Sequence, residues 1–144
     1  MMQFSTFRVG ERLLGLDIRM IQEINRIPEI TPLPLSAEYV RGFINLRGQI
    51  VTLFDLGVRL GLPRKQIDDE SHNIILHPRA GARAQDPVGL LADGIGDVVE
   101  VDVSQIEPLP ANVGEMDGRY LSGVIKFQDE LMVLFDLKRV LHID

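Results

Sequence analysis

Residues Tyr39–Leu62 read YVRGFINLRGQIVTLFDLGVRLGL, and 81 positions later Tyr120–Ile143 read YLSGVIKFQDELMVLFDLKRVLHI. The two stretches align without a gap. Identical pairs are Tyr39/Tyr120, Gly42/Gly123, Ile44/Ile125, Leu53/Leu134, Phe54/Phe135, Asp55/Asp136, Leu56/Leu137 and Leu60/Leu141. Eight of 24 positions therefore agree, where roughly two are expected from average composition. Fainter echoes precede them, Gly15-Leu16 against Gly89-Leu90 and Leu33-Pro34 against Leu109-Pro110. The chain reads as two copies of one small unit, and a cleft between such copies is a natural place to bind something.

Length and composition narrow the options. At 144 residues the chain is one domain, residues 1–144, made of two small units that share a core. The units run approximately over 10–66 and 67–144, with the terminal segments free to cross between them. The hydrophobic share of 45% is enough for a packed interior. There is no cysteine, which excludes disulfides, a thiolate nucleophile and a thiolate metal site. The net charge of −6 comes without any block of lysine or arginine. A phosphate backbone is repelled by such a field, which argues against nucleic acid. The opening MMQFSTFRVGERLL lacks the basic stretch and apolar run of a secretory signal. The longest run free of polar residues and glycine is about five residues, Leu131–Phe135, against the ~20 that span a bilayer. The expectation is a soluble cytoplasmic protein.

The segments are short, β-branched and aromatic, and Gly, Pro and Asp punctuate them. This rhythm predicts an all-β fold. Strands are expected at 4–9, 13–16, 23–31, 42–46, 49–54, 73–76, 88–92, 97–103, 123–127 and 130–135, about five per copy. Closing such strands into a barrel removes exposed edges. Gly10-Glu11 and Arg47-Gly48 sit where two-residue hairpin turns belong, Gly48 supplying positive φ. Gln128-Asp129 holds the same place in the second copy, with Asp129 as the residue that tolerates left-handed geometry. Helix is sparse. Asp55 and Asp136 each end an apolar strand and are placed to cap a short helix. One helical turn is expected near Ile18–Gln22, and Ser36 is expected to cap a turn through Ala37–Tyr39.

Catalytic signals are few. His72, His77 and His142 lack ligand spacing and read as surface or loop histidines. The segment Asp93-Gly94-Ile95-Gly96-Asp97 supplies too few oxygens for a cation loop and reads as a hairpin turn. Arg79 and Arg83 belong to a turn-rich stretch, 77–87, that reads as a solvated hairpin loop rather than a phosphate contact. The alternative enzyme reading pairs Asp55 with Asp136 as a hydrolase dyad. It lacks the Thr/Ser-Gly turn that follows such aspartates, and nothing else in the chain offers substrate binding.

The segment Gly42-Phe43-Ile44-Asn45-Leu46-Arg47-Gly48-Gln49-Ile50, followed by Asp55-Leu56, resembles the G-x-x-N-L-R-G-x-I-x-x-x-x-D-L signature of CheW-like domains. Gly15-Leu16-Asp17-Ile18 with Ile21-Gln22-Glu23-Ile24, then Val88–Gly94 with Asp97-Val98, and the closing Leu134-Phe135-Asp136-Leu137 fit the same family in order. One departure stands out: the repeat mate of Asn45-Leu46-Arg47-Gly48 is Lys126-Phe127-Gln128-Asp129. The resemblance implies two five-stranded, SH3-like β-barrels packed together with few short helices. It implies a non-enzymatic adaptor without a cofactor or metal. Such an adaptor joins the cytoplasmic tip of chemoreceptors to the regulatory domain of a CheA-type histidine kinase, at membrane-associated receptor arrays.

Carried over by position, the resemblance places receptor contacts at Ile21, Glu23, Gly42, Arg47 and Val98. Ile21 and Val98 offer an apolar trough for a helical hairpin, Gly42 a close approach, and Glu23 with Arg47 an ion pair at the rim. The competing reading puts Ile21 and Val98 in the core and makes Gly42 a strand glycine. For Arg47, a bare turn residue would more naturally be Asn or Asp. Kinase contacts are placed at Ile30 and Leu33.

Overall fold

The computed structural model describes residues 1–80 and 87–142. Arg83 and most of the 77–87 stretch lie outside the described residues. The strands are β1 Met2–Val9, β2 Arg12–Asp17, β3 Ile21–Arg26, β4 Ile30–Thr31, β5 Val40–Leu46, β6 Gln49–Phe54, β7 His72–Leu76, β8 Val88–Ala92, β9 Gly94–Val101, β10 Ile106–Glu107, β11 Leu121–Phe127 and β12 Glu130–Phe135. Two short helices, α1 Leu56–Arg59 and α2 Leu137–Leu141, follow β6 and β12. No described helix is long and apolar enough to cross a membrane.

The strands form two six-stranded sheets. One runs β10-β11-β12-β2-β1-β9 and the other β3-β7-β8-β6-β5-β4. The expected five strands per unit become six because two-residue strands at 30–31 and 106–107 pair with β5 and β11. The segment expected as a single strand, 23–31, breaks at Pro28, whose ring locks φ and removes a ladder donor. The sheets do not divide the chain at residue 66. The N-terminal hairpin β1–β2 joins β9–β12, while β3 through β8 make the other sheet.

The repeat is visible in the topology. β5, β6 and α1 recur as β11, β12 and α2. Leu53 of β6 lies parallel to Gly89, and its mate Leu134 lies parallel to Gly15. The Gly-Leu echo thus marks the one parallel junction in each sheet.

Each sheet curls around a small apolar cluster of its own. Val101 from one edge strand and Ile106 from the other meet Phe4, Leu13, Ile125 and Met132 in the first. Ile30, Ile44, Val51, Leu53, Ile75 and Leu91 fill the second. A larger core lies between the sheets, with Phe7, Leu14, Leu16, Val124, Val133 and Phe135 on one side and Phe54, Ile74, Leu76 and Leu90 on the other.

Local expectations meet mixed fates. The helical turn near Ile18 is a single 3-10 turn, Ile18–Met20. The Ser36 hydroxyl donates to the Leu33 carbonyl at 2.7 Å rather than capping the turn after it. The segment 93–97 is not a hairpin turn. β8 and β9 belong to different sheets, and Asp93 is the bend between them. Its carboxylate accepts from the Gly10 amide at 2.6 Å, which ties that crossing to the β1–β2 turn. In the β11–β12 turn the left-handed residue is Gln128, at φ 57°, and not Asp129.

Both aspartates cap helices. Asp55 accepts from the Val58 amide at 3.1 Å, and Asp136 from the Arg139 amide at 3.2 Å. Their surroundings differ. Asp55 is buried and receives the Arg41 Nε at 2.7 Å, from a guanidinium that is itself 9% exposed. Asp136 is partly exposed and sits 3.6 Å from the Arg139 Nε at the surface.

Asp136→Ala is therefore expected to cost about 0.5–2 kcal/mol, the value of a cap. Asp55→Ala removes a cap and strands a buried guanidinium, so it is expected to cost roughly 3–5 kcal/mol. Urea denaturation of both variants checks the order. Equal losses would mean that the Arg41–Asp55 pair contributes no more than an exposed one.

Candidate functional site

The rim begins at the β5–β6 hairpin. Arg47 and Gly48 form its two-residue turn with φ of 51° and 85°. Both central residues are left-handed, which matches the twist of the flanking strands. Gly48 adopts this freely, whereas a side-chain-bearing residue pays about 1–2 kcal/mol. The Asn45 side chain accepts the Gly48 amide at 2.9 Å and holds the turn closed. The guanidinium of Arg47 leaves the turn and reaches the opposite edge of the same sheet, where its Nη2 meets the Glu23 Oε1 at 2.5 Å.

The pair is open to solvent. The Arg47 side chain is 70% exposed and that of Glu23 31%, so the pair stabilises the fold by ~0–1 kcal/mol at most. The Arg47 guanidinium, and after it the Asn25 side chain, hold the Glu23 carboxyl below the usual carboxylate range. Asn25 lies two residues along β3 on the same face and faces Asn73 of β7 in the register. Asn73 is fully buried, and neither end of its amide has a protein partner among the described residues. A polar file thus runs inward from Arg47 through Glu23 and Asn25 to Asn73.

The other expected contacts lie elsewhere. Ile21 is half-buried and packs against the large core. Gly42 is buried beneath β4, where an added Cβ would lie 2.2 Å from the Thr31 carbonyl oxygen. Its role is to admit that strand, as Gly123 admits the strand carrying Glu107, whose carbonyl oxygen lies 2.9 Å from the corresponding point. Gly42 therefore presents no surface to a partner. Val98 is 55% exposed, on the β9 edge of the other sheet, with Ile95 also exposed on that strand. The structure joins Glu23 and Arg47 directly and leaves Val98 free on a second sheet.

On the expected kinase side, Ile30 packs into the small core of its own sheet, and Leu33 is half-buried. Leu35 went unread in the sequence. It is fully exposed and left-handed at φ 63°, a conformation rare for a leucine. Its only signal was its place in Pro32-Leu33-Pro34-Leu35, which reads as a turn.

The aspartate dyad does not form. Asp55 is committed to Arg41 and the Val58 amide, and Asp136 to Arg139, with no hydrogen bond between the two carboxylates. Among the described residues no three His, Cys, Asp or Glu side chains are grouped to hold a metal ion.

A family model described as CheW-like domain matches residues 3–144. The chemotaxis protein CheW of Klebsiella aerogenes is 30% identical over 139 residues, which cover 96% of this chain and 81% of that one. The CheW of Bacillus subtilis is 30% identical over 135 residues, covering 94% and 83%. Among solved structures, the scaffolding protein TtCheW from Thermoanaerobacter tengcongensis is similar with a TM-score of 0.84 and 29% identity, over 99% of this chain and 89% of that chain.

The rim pair has a pH signature. Because the folded state holds the Glu23 pKa down, its stabilisation is complete above the unfolded carboxylate range and is lost as pH falls through the lowered value. In a carbon-13 NMR titration, the Glu23 carboxyl is expected to titrate at lower pH than the same group in an Arg47→Gln variant. Coincident midpoints would show that the pair does not form in solution.

Proposed function

The chain belongs to the CheW-like family of chemotaxis scaffolds, which are not enzymes, and on that premise we propose that it couples chemoreceptors to a CheA-type histidine kinase. The receptor's cytoplasmic tip docks at the rim built by Arg47 and Glu23, with Val98 on the neighbouring sheet as an apolar contact. The kinase's regulatory domain docks at the loop after β4, where Leu35 and the half-buried Leu33 replace Ile30 as the contact. Both partners sit in receptor arrays beneath the membrane, on its cytoplasmic side.

The observation that carries the reading is Arg47. A long cationic side chain occupies a left-handed turn position that Asn, Asp or Gly would fill at lower cost, and it ends on an exposed pair worth little to the fold. Such a pair sets orientation and partner choice more than stability. The exposed, left-handed Leu35 supports the second surface in the same way: it adds nothing to the core and carries backbone strain.

A receptor-tip fragment and the kinase regulatory domain are expected to bind the protein together, as a ternary complex in size-exclusion chromatography. Arg47→Glu places a carboxylate beside Glu23. It is expected to weaken receptor binding about tenfold or more, with the melting temperature nearly unchanged because the site is exposed. Leu35→Ser is expected to weaken the kinase domain and spare the receptor. Competition between the two partners, or normal receptor binding by Arg47→Glu, would overturn the assignment.

A further inference from the structure

A cleft of about 760 Å³ lies away from the Arg47 rim, at the junction of the two repeats. Tyr39 and Tyr120, which are repeat mates, line it together with Arg59, Arg119, Lys138 and Arg139. Four cations thus share one cleft in a chain whose net charge is −6. Two carboxylates offset them in part, Asp117 on Arg119 at 2.7 Å and Asp136 on Arg139 at 3.6 Å. Among the described residues a surplus of two positive charges remains, and no acidic side chain is among those that line the cleft.

The arrangement is built rather than incidental. Arg59 forms the floor. Its guanidinium stands 4.5 Å from the centroid of Tyr39 and 4.8 Å from that of Tyr120, and it donates to the carbonyls of Val140 and His142. The walls are exposed: the side chains of Arg119 and Arg139 are 79% and 66% accessible. Lys138 is exposed and makes no ion pair among the described residues. Arg59 already takes a face of each ring and Arg119 packs on Tyr120, so the chemistry on offer is charge rather than stacking. The three exposed cations are spread over the turn Gly118–Tyr120 and the helix α2. That spacing suits several carboxylates along a peptide better than one compact anion.

We propose that this cleft is a docking site for an acidic peptide segment of a partner protein, separate from the Arg47 rim. Charge complementarity drives the contact and gives it a steep salt dependence. The inference does not require the receptor and kinase assignments above.

The test uses a fluorescently labelled polyglutamate peptide, with polyglutamine of equal length as control, and fluorescence anisotropy at low salt. Polyglutamate is expected to bind, polyglutamine not. NMR shift changes are expected to centre on Tyr39, Arg59, Tyr120 and Lys138. Lys138→Glu is expected to weaken binding about tenfold. Arg64→Glu, the same charge change on the exposed linker, is expected to have little effect. Thermal melting confirms that each variant is folded. The proposal fails if polyglutamate does not bind, if Lys138→Glu binds normally, or if Arg64→Glu weakens binding as much. It also fails if inorganic pyrophosphate binds the cleft and the peptide does not, which would make it a small-anion site.

Discussion

The structure rests on the apolar layer that the two sheets share. Each sheet encloses a cluster of only about half a dozen buried side chains, and a unit of ~60 residues is marginal alone. The larger cluster draws on both sheets, on both helices and on Met116 of the loop before β11. Neither copy can keep its exposed face out of water without the other. The crossing of the N-terminal hairpin into the second unit's sheet follows the same logic, because it makes the chain's first strands part of its last sheet. Separation of the units would then require breaking β-ladders as well as uncovering a core.

Near the junction axis the copies cannot be identical. Arg59 touches both Tyr39 and Tyr120 and holds the backbone at the end of α2. Its repeat mate is Val140, buried in the shared core. Two guanidinium groups at that place would repel each other, so one copy supplies the cation and the other the packing. The same division recurs at the aspartates. Arg41 seals Asp55 into a buried pair, whereas its mate Ser122 leaves Asp136 near solvent. It recurs again at the hairpins, where Arg47-Gly48 faces Gln128-Asp129. The two copies thus share a scaffold, and only the first hairpin carries Asn45-Leu46-Arg47-Gly48.

Much of the fold was legible because it is written in local chemistry. The strands and the two capping aspartates each depend on neighbours within a few residues, and the repeat is a direct match of residues at one offset. Strand count and the role of 93–97 were not legible, since both depend on which sheet a strand joins. A two-residue strand such as 30–31 has no periodicity to detect, and a Gly-rich bend between sheets looks like a hairpin turn. At the rim, Glu23 and Arg47 were readable through the family resemblance, and the structure brings them into contact. Gly42 misled because a glycine that admits a partner and one that admits its own edge strand look alike in sequence. Leu35 and the Arg59 junction were missed for a related reason. Exposure of an apolar residue and the meeting of repeat mates are properties of the assembled surface alone.

The rim is suited to binding because it is rigid in its backbone and weakly committed in its side chains. The Asn45 side chain and the twist of the β5–β6 ladder fix where Arg47 starts. What Arg47 reaches is an exposed carboxylate worth ~0–1 kcal/mol. A partner that offers its own carboxylate to Arg47, or its own cation to Glu23, therefore replaces a contact that cost the protein little to give up. The buried pair of Arg41 and Asp55 could not serve in this way, because parting it leaves a desolvated charge behind. The two ion pairs sit at opposite ends of the same strand pair, one sealed to hold the helix and one left open at the turn. That contrast leaves the surface pair free to exchange its contacts without disturbing the buried one.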